Sequence, residues 1–204
     1  TGPLELGAAL QGLLREYCEA EGLDWHAQGQ PFFTRLQAEA MQNSDELAQA
    51  DQIPIAAQRM WTSTETLDGR EFCFIMNFAG REDSPRFVEP LAVLSRGINE
   101  LCVTARGAAT AKVPTHPADN VCYRGGGFLD DHRSFFAKGK KFRQPAYLAT
   151  SFSVSVANYF ISRSGMPSKV RWTIRIDPDH KCNHVNLVNK SNIQGEQEYL
   201  FVPY

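Results

Sequence analysis

The chain changes its hydrophobic period part-way along, and that change limits the folds open to it. Up to about residue 103, apolar residues recur at helical spacing. Leu6, Leu10, Leu13, Leu14 and Tyr17 form one stripe. The Ala-, Gln- and Glu-rich stretch from Pro31 to Ala50 predicts a second helix, with Pro31 suited to its start. Asp68-Gly69 marks a turn. Phe72, Ile75, Met76 and Ala79 then share a face, and Ser84-Pro85 opens a helix striped by Phe87, Leu91, Leu94, Ile98 and Leu101. Beyond that point the segments shorten and read as strands: 101–105, 119–123, 146–152, 170–176 and 199–202. One helix over Val154 to Ser162 interrupts them, its face carrying Val156, Ala157 and Phe160 and its end marked by Gly165 and Pro167. Helices first and a mainly antiparallel sheet afterwards give an α+β chain.

The 204 residues are 43% hydrophobic and 22% charged, enough apolar material for a real core. The net charge of −2 gives no global field toward nucleic acid. The basic run Lys138, Lys140, Lys141 and Arg143 is local and reads as a solvated loop. Five scattered cysteines do not make a disulfide framework, so reduced, mostly buried thiols and a cytosol-like redox state are expected. No apolar run approaches the ~20 residues of a membrane helix, and no secretory signal is visible at the start. The expectation is a soluble chain that does not engage membrane, with secretion as an effector left open.

Three segments carry chemistry. In Glu196-Gln197-Glu198-Tyr199-Leu200-Phe201-Val202, a period of two puts Glu196 and Glu198 on one face, their Cα atoms about 6.6 Å apart. Both faces turn apolar as the strand proceeds, so two carboxylates stand at the mouth of a buried strand. Two such acids repel each other. They suit a site where positive charge appears, as in the oxocarbenium-like transition state of glycosidic cleavage. A frayed strand end with two solvated acids would give the same pattern.

In Val121-Cys122-Tyr123-Arg124-Gly125-Gly126-Gly127-Phe128, an apolar strand delivers one arginine and then glycines. The guanidinium fork matches phosphate oxygens, and glycine lets a ligand come close to the backbone. The spacing is neither a Walker loop nor a dinucleotide fingerprint. A glycine-rich hairpin with a surface arginine would also fit. In Tyr147-Leu148-Ala149-Thr150-Ser151-Phe152-Ser153, a strand ends in small hydroxyls able to orient a carboxylate, with Ser153 or Ser155 free to cap the next helix.

Arginine, hydroxyl strand and paired glutamates in that order resemble the R-S-E branch of the mono-ADP-ribosyltransferases. That branch includes cholera-like and clostridial toxins and the vertebrate ecto-enzymes. The motifs cover about the last 90 residues. The resemblance implies one catalytic domain over residues 1–204 with a split β-sandwich, residues 1–60 being a helical extension. It implies NAD as substrate and an acceptor protein with an exposed arginine as partner. Arg124 would contact the phosphates, and Tyr123, Gly125, Thr150 and Ser151 would line the NAD site. Glu198 would bind the ribose hydroxyl and stabilise the oxocarbenium ion, and Glu196 would engage the acceptor arginine. One position departs from the pattern: the family's first motif serine is Ala149, and either Thr150 or Ser151 can take over its role.

Other features carry less. His180, Cys182 and His184 lack an evident fourth ligand, so no metal is expected. Trp25, Trp61 and Trp172 read as packing residues. Phe135, Phe136 and Phe142 lie between the first two motifs, where one can pack near the adenine or nicotinamide. No G-x-S-x-G elbow supports a serine hydrolase. The alternatives kept beside the transferase are an NAD glycohydrolase and a catalytically impaired NAD-binding or protein-interaction module.

Overall fold

The structure, a computed structural model, describes residues 3–43, 49–107, 117, 119–177, 184–186, 195 and 197–203. The chain forms two compact units, one built mainly from residues up to Thr104 and the other from Ala105 onward.

The first unit is helical: α1 (Pro3–Glu21), α2 (Gln30–Ala40), α3 (Gln49–Trp61), α4 (Phe72–Glu82) and α5 (Pro85–Gly107). The apolar stripe of α1 is buried as its spacing requires, with Leu13 and Leu14 fully enclosed. The helix expected over Pro31 to Ala50 is interrupted. Helix α2 ends at Ala40, and Asn43 adopts a left-handed backbone that a continuing helix cannot hold. Thr66–Leu67 (β1) and Arg70–Glu71 (β2) form a small hairpin around Asp68-Gly69, both with positive φ. In α4 the four residues of the expected face are all buried.

Residues 101–105, expected as a strand, belong instead to α5. Phe87, Leu94 and Ile98 keep one helical phase into that segment, and a helix already propagating gains a hydrogen bond with each added residue. That gain outweighs the local β-branched Val103-Thr104. Close packing in this unit uses glycine: a Cβ on Gly97 would lie 3.0 Å from that of Ala57 on α3. Between α1 and α2, Asp24 caps a five-residue π-helical turn, Trp25–Gly29, by accepting from the Ala27 N–H at 2.9 Å. Cys18, packed under that turn, is a buried free thiol, and burial pushes its pKa up.

The second unit holds a five-stranded antiparallel sheet. Its strands are β3 (Val121–Phe128), β4 (Leu148–Ser151), β5 (Ser168–Arg175), β6 (His184–Asn186) and β7 (Glu198–Phe201), in the order β5-β3-β4-β7-β6. Helix α6 (Val154–Arg163) packs on β3. Strand β7 lies between β4 and β6, and Tyr199, Leu200 and Phe201 are all buried, so both of its faces are covered. One sheet face buries Cys122, Ile176, Tyr199 and Phe201, flanked by Leu148, Phe152 and Ile174. At the edge, β5 alternates in burial and leaves Lys169, Arg171 and Arg175 exposed, charges that discourage edge pairing. On α6 only part of the expected apolar face is covered: Ala157 is buried, but Phe160 is 37% exposed beside Tyr159 at 54%.

Among the described residues, no helix is long and apolar enough to cross a membrane. Cys18, Cys73 and Cys122 are in the reduced form; Cys102 and Cys182 have no described side chains.

Candidate active site

Cross-strand register assembles the site. Tyr123 pairs with Ser151 across β3 and β4, and Ser151 pairs with Glu198 across β4 and β7. Directly opposed residues of an antiparallel pair project from the same face. Tyr123, Ser151 and Glu198 therefore form one transverse row. Ser151 is buried, while Tyr123 and Glu198 are half-buried. Phe152 N–H donates to the Gln197 carbonyl at 3.3 Å, which carries the pairing one step past the row. The Ser153 N–H donates to Ser151 Oγ at 3.0 Å and fixes that oxygen's position.

Arg124 is the next residue on β3, so its side chain leaves from the opposite face. There it stands across from Trp172 on β5. Its Nη1 donates to the Ala149 carbonyl at 2.7 Å, which ties the half-buried guanidinium to β4. Position 149, where the family's hydroxyl is missing, thus still takes part through its backbone. Thr150 is buried and its Oγ1 donates to the carbonyl of its own cross-strand partner, Tyr199, at 2.7 Å. This bond fixes β7 one residue beyond Glu198. The hydroxyl segment therefore divides its labour: Thr150 secures the strand, and Ser151 faces the acid.

The glycines have a packing cause that the sequence did not disclose. A Cβ on Gly125 would fall 1.7 Å from the Ala157 carbonyl oxygen of α6. One on Gly127 would fall 2.7 Å from Met166, Ser164 and Ser168 atoms. Gly126 alone of the three has open space on its side-chain side. Two of the three glycines thus let α6 and its following turn sit on β3, and they are not by themselves a ligand signal.

The regular strand begins at Glu198, because Gln197 has a left-handed backbone at φ 49°. The strict alternation used to set Glu196 on the face of Glu198 does not carry through such a residue. Glu196 itself lies outside the described residues, as do His180 and Cys182. Among the described residues, no cluster of three or more His, Cys, Asp or Glu could hold a metal ion.

Sequence reasoning took Trp172 as packing alone and missed its place opposite Arg124. The visible signal was the alternation of Val170, Trp172 and Ile174 on β5. An aromatic cluster grows from it: Phe136 packs on Trp172 with centroids 4.8 Å apart and on Phe128 at 5.1 Å.

Two solved structures share this fold. The ADP-ribosyltransferase Vis, in complex with M6 inhibitor, matches with a TM-score of 0.54 at 16% identity, over 85% of this chain and 71% of that one. The ADP-ribosyltransferase HopU1 of Pseudomonas syringae pv. Tomato DC3000 matches with a TM-score of 0.52 at 16% identity, over 74% of this chain and 66% of that one. The fold is that of an ADP-ribosyltransferase. Neither a protein-family model nor a curated protein sequence matches the chain. The ADP-ribosyltransferase likeness therefore rests on shape, at an identity that carries the fold alone.

Proposed function

We propose that the chain is a mono-ADP-ribosyltransferase that cleaves NAD and transfers ADP-ribose to an arginine of an acceptor protein. The observation that carries this reading is the row Tyr123–Ser151–Glu198, with Arg124 the next residue on β3, on the other face, and tied to β4. The fold shared with Vis and HopU1 supports the same reaction class.

NAD is the substrate. A guanidinium has five N–H donors and the Ala149 carbonyl takes one from Arg124, so the fork is pre-oriented for the pyrophosphate. Gly125 follows Arg124 and offers backbone groups to the nicotinamide amide, with Tyr123 and Thr150 bordering the same strands. When the N-glycosidic bond breaks, nicotinamide leaves with the electron pair and positive charge appears on the ribose. Glu198 stabilises that charge, a preorganised electrostatic effect that commonly dominates catalysis. The Ser151 hydroxyl lies across from Glu198 and positions it in place of the hydroxyl absent at 149. The acceptor guanidine nitrogen attacks the cationic carbon and loses a proton, with Glu196 as the base.

Ala149 favours a second reading, a catalytically impaired NAD-binding or protein-interaction module, and an NAD glycohydrolase is the other alternative. Incubation with labelled NAD, agmatine and a mixture of cell proteins, beside Glu198→Gln, separates them. Label on protein and agmatine, lost in the variant, is the expected result. Nicotinamide release without label would favour the glycohydrolase. No NAD turnover would sink the enzyme reading.

A further inference from the structure

The basic run and the phenylalanines of the segment joining β3 to β4 have no part in the proposed chemistry. They form one built feature. Backbone hydrogen bonds from His132 to Leu129, Arg133 to Asp130, Phe135 to His132 and Lys140 to Ala137 hold the segment in successive turns. Ser168 Oγ donates to Asp130 Oδ1 and anchors the first of these turns to β5. Phe136 is the hub. It contacts Phe135 at 5.1 Å and Phe142 at 5.4 Å, both edge to face, and reaches Trp172 below. Phe135 and Phe142 are left 48% and 49% exposed, with Leu129 at 52%. Lys138, Lys140, Lys141 and Arg143 are exposed in the same segment, with the Lys140 ammonium over the Phe135 ring.

An ordered loop that holds aromatic rings half out of water inside a rim of cations is a preorganised docking surface. Its charge fits an acidic partner, while the whole chain carries −2. The rings are poor platforms for bases, since the Lys140 ammonium sits over Phe135 at 5.5 Å and Phe142 meets Phe136 edge-on. The same aromatic stack rests on Trp172, which pairs with Arg124, so whatever docks here lies on the Arg124 face of the sheet.

We propose that this loop docks an acidic segment of the acceptor protein that bears apolar side chains, an inference that rests on the transferase reading above. The acceptor's acids meet the lysines, and its apolar side chains cover Phe135 and Phe142.

The test is fluorescence anisotropy with a labelled synthetic peptide of alternating Glu and Leu residues flanking one arginine. Its Glu→Gln counterpart, an anionic vesicle of phosphatidylserine and phosphatidylcholine, and a labelled oligo-dT serve as competing probes. The chain is expected to bind the acidic peptide with an affinity that falls with salt. Binding should weaken about tenfold or more for the Gln peptide, for F135S/F142S and for K140E/K141E. K140E/K141E should keep the wild-type rate with agmatine, which is too small to use the loop. Peptide binding that is unchanged in both variants, or absent, overturns the proposal. Preference for the vesicle or the oligonucleotide over the peptide also overturns it. Loop-dependent peptide binding in a chain that never modifies agmatine would support the docking surface while removing the transferase reading.

Discussion

Ser151 stands directly opposite Glu198 across β4 and β7, with its oxygen held by the Ser153 N–H at 3.0 Å. The pairing places a buried hydroxyl on the face from which the half-buried acid projects. Glu198→Gln keeps the shape and removes the negative charge. It is expected to lower both NAD hydrolysis and transfer by roughly a thousandfold. Glu196→Gln should lose transfer to agmatine and retain much of the hydrolysis, because the proposed mechanism assigns that acid to the acceptor. Nicotinamide release and agmatine labelling, measured on both variants, check this. Equal loss of both activities in the two variants would refute the division of roles.

Gly125 and Gly126 are neighbours in sequence with opposite constraints. Gly125→Ala would push a methyl to 1.7 Å from the Ala157 carbonyl oxygen, so α6 must shift off β3. The expected cost is about 1–3 kcal/mol or more. Gly126 has nothing within 4 Å of an added Cβ, and its φ is not positive. Gly126→Ala should be neutral or stabilise by about 0.4–1 kcal/mol through the unfolded chain. Urea unfolding of the two variants decides it. Similar stabilities would mean that α6 does not pack on β3 as described.

Thr150→Val preserves the branched shape and deletes the bond from Oγ1 to the Tyr199 carbonyl. Both groups are buried, so the loss should cost about 1–2 kcal/mol. Because the bond fixes the strand that carries Glu198, kcat should fall while KM for NAD changes little. A stable variant with unchanged kcat would show that Thr150 does not position β7.

The helices were legible where one face alone meets the core. The stripes on α1 and α4 are buried residue for residue. Strand β7 was legible for the complementary reason: a segment apolar on both faces has to be covered on both. The strand assigned over 101–105 failed because local β-branched residues lost to a helix already in phase. The site was readable only in part. Residue types near a strand end suggest an arginine, a hydroxyl and an acid. Register alone brings Ser151 opposite Glu198, and register depends on partners far away in the chain. The glycines misled because a close helix and a close ligand both exclude a Cβ. Gln197 was silent because nothing in its side chain announces a positive φ.

The cap at Asp24 sets a pH dependence whose sign follows from its bonds. N–H groups of Ala27 and then His26 hold the carboxyl below its usual range. A depressed folded-state pKa stabilises the fold fully above the unfolded carboxyl's value of about 3.9, and that contribution disappears as pH falls through the lower folded value. Asp24→Asn keeps an acceptor for the Ala27 N–H and removes the ionised form. Its Tm should lie below wild type at pH 6. The gap should narrow from about pH 4 downward and close once the wild-type carboxyl is protonated. Thermal melts of both proteins from pH 6 to pH 2.5 follow this directly. A gap that stays constant over the whole range would mean that the ionised carboxylate adds nothing beyond its shape.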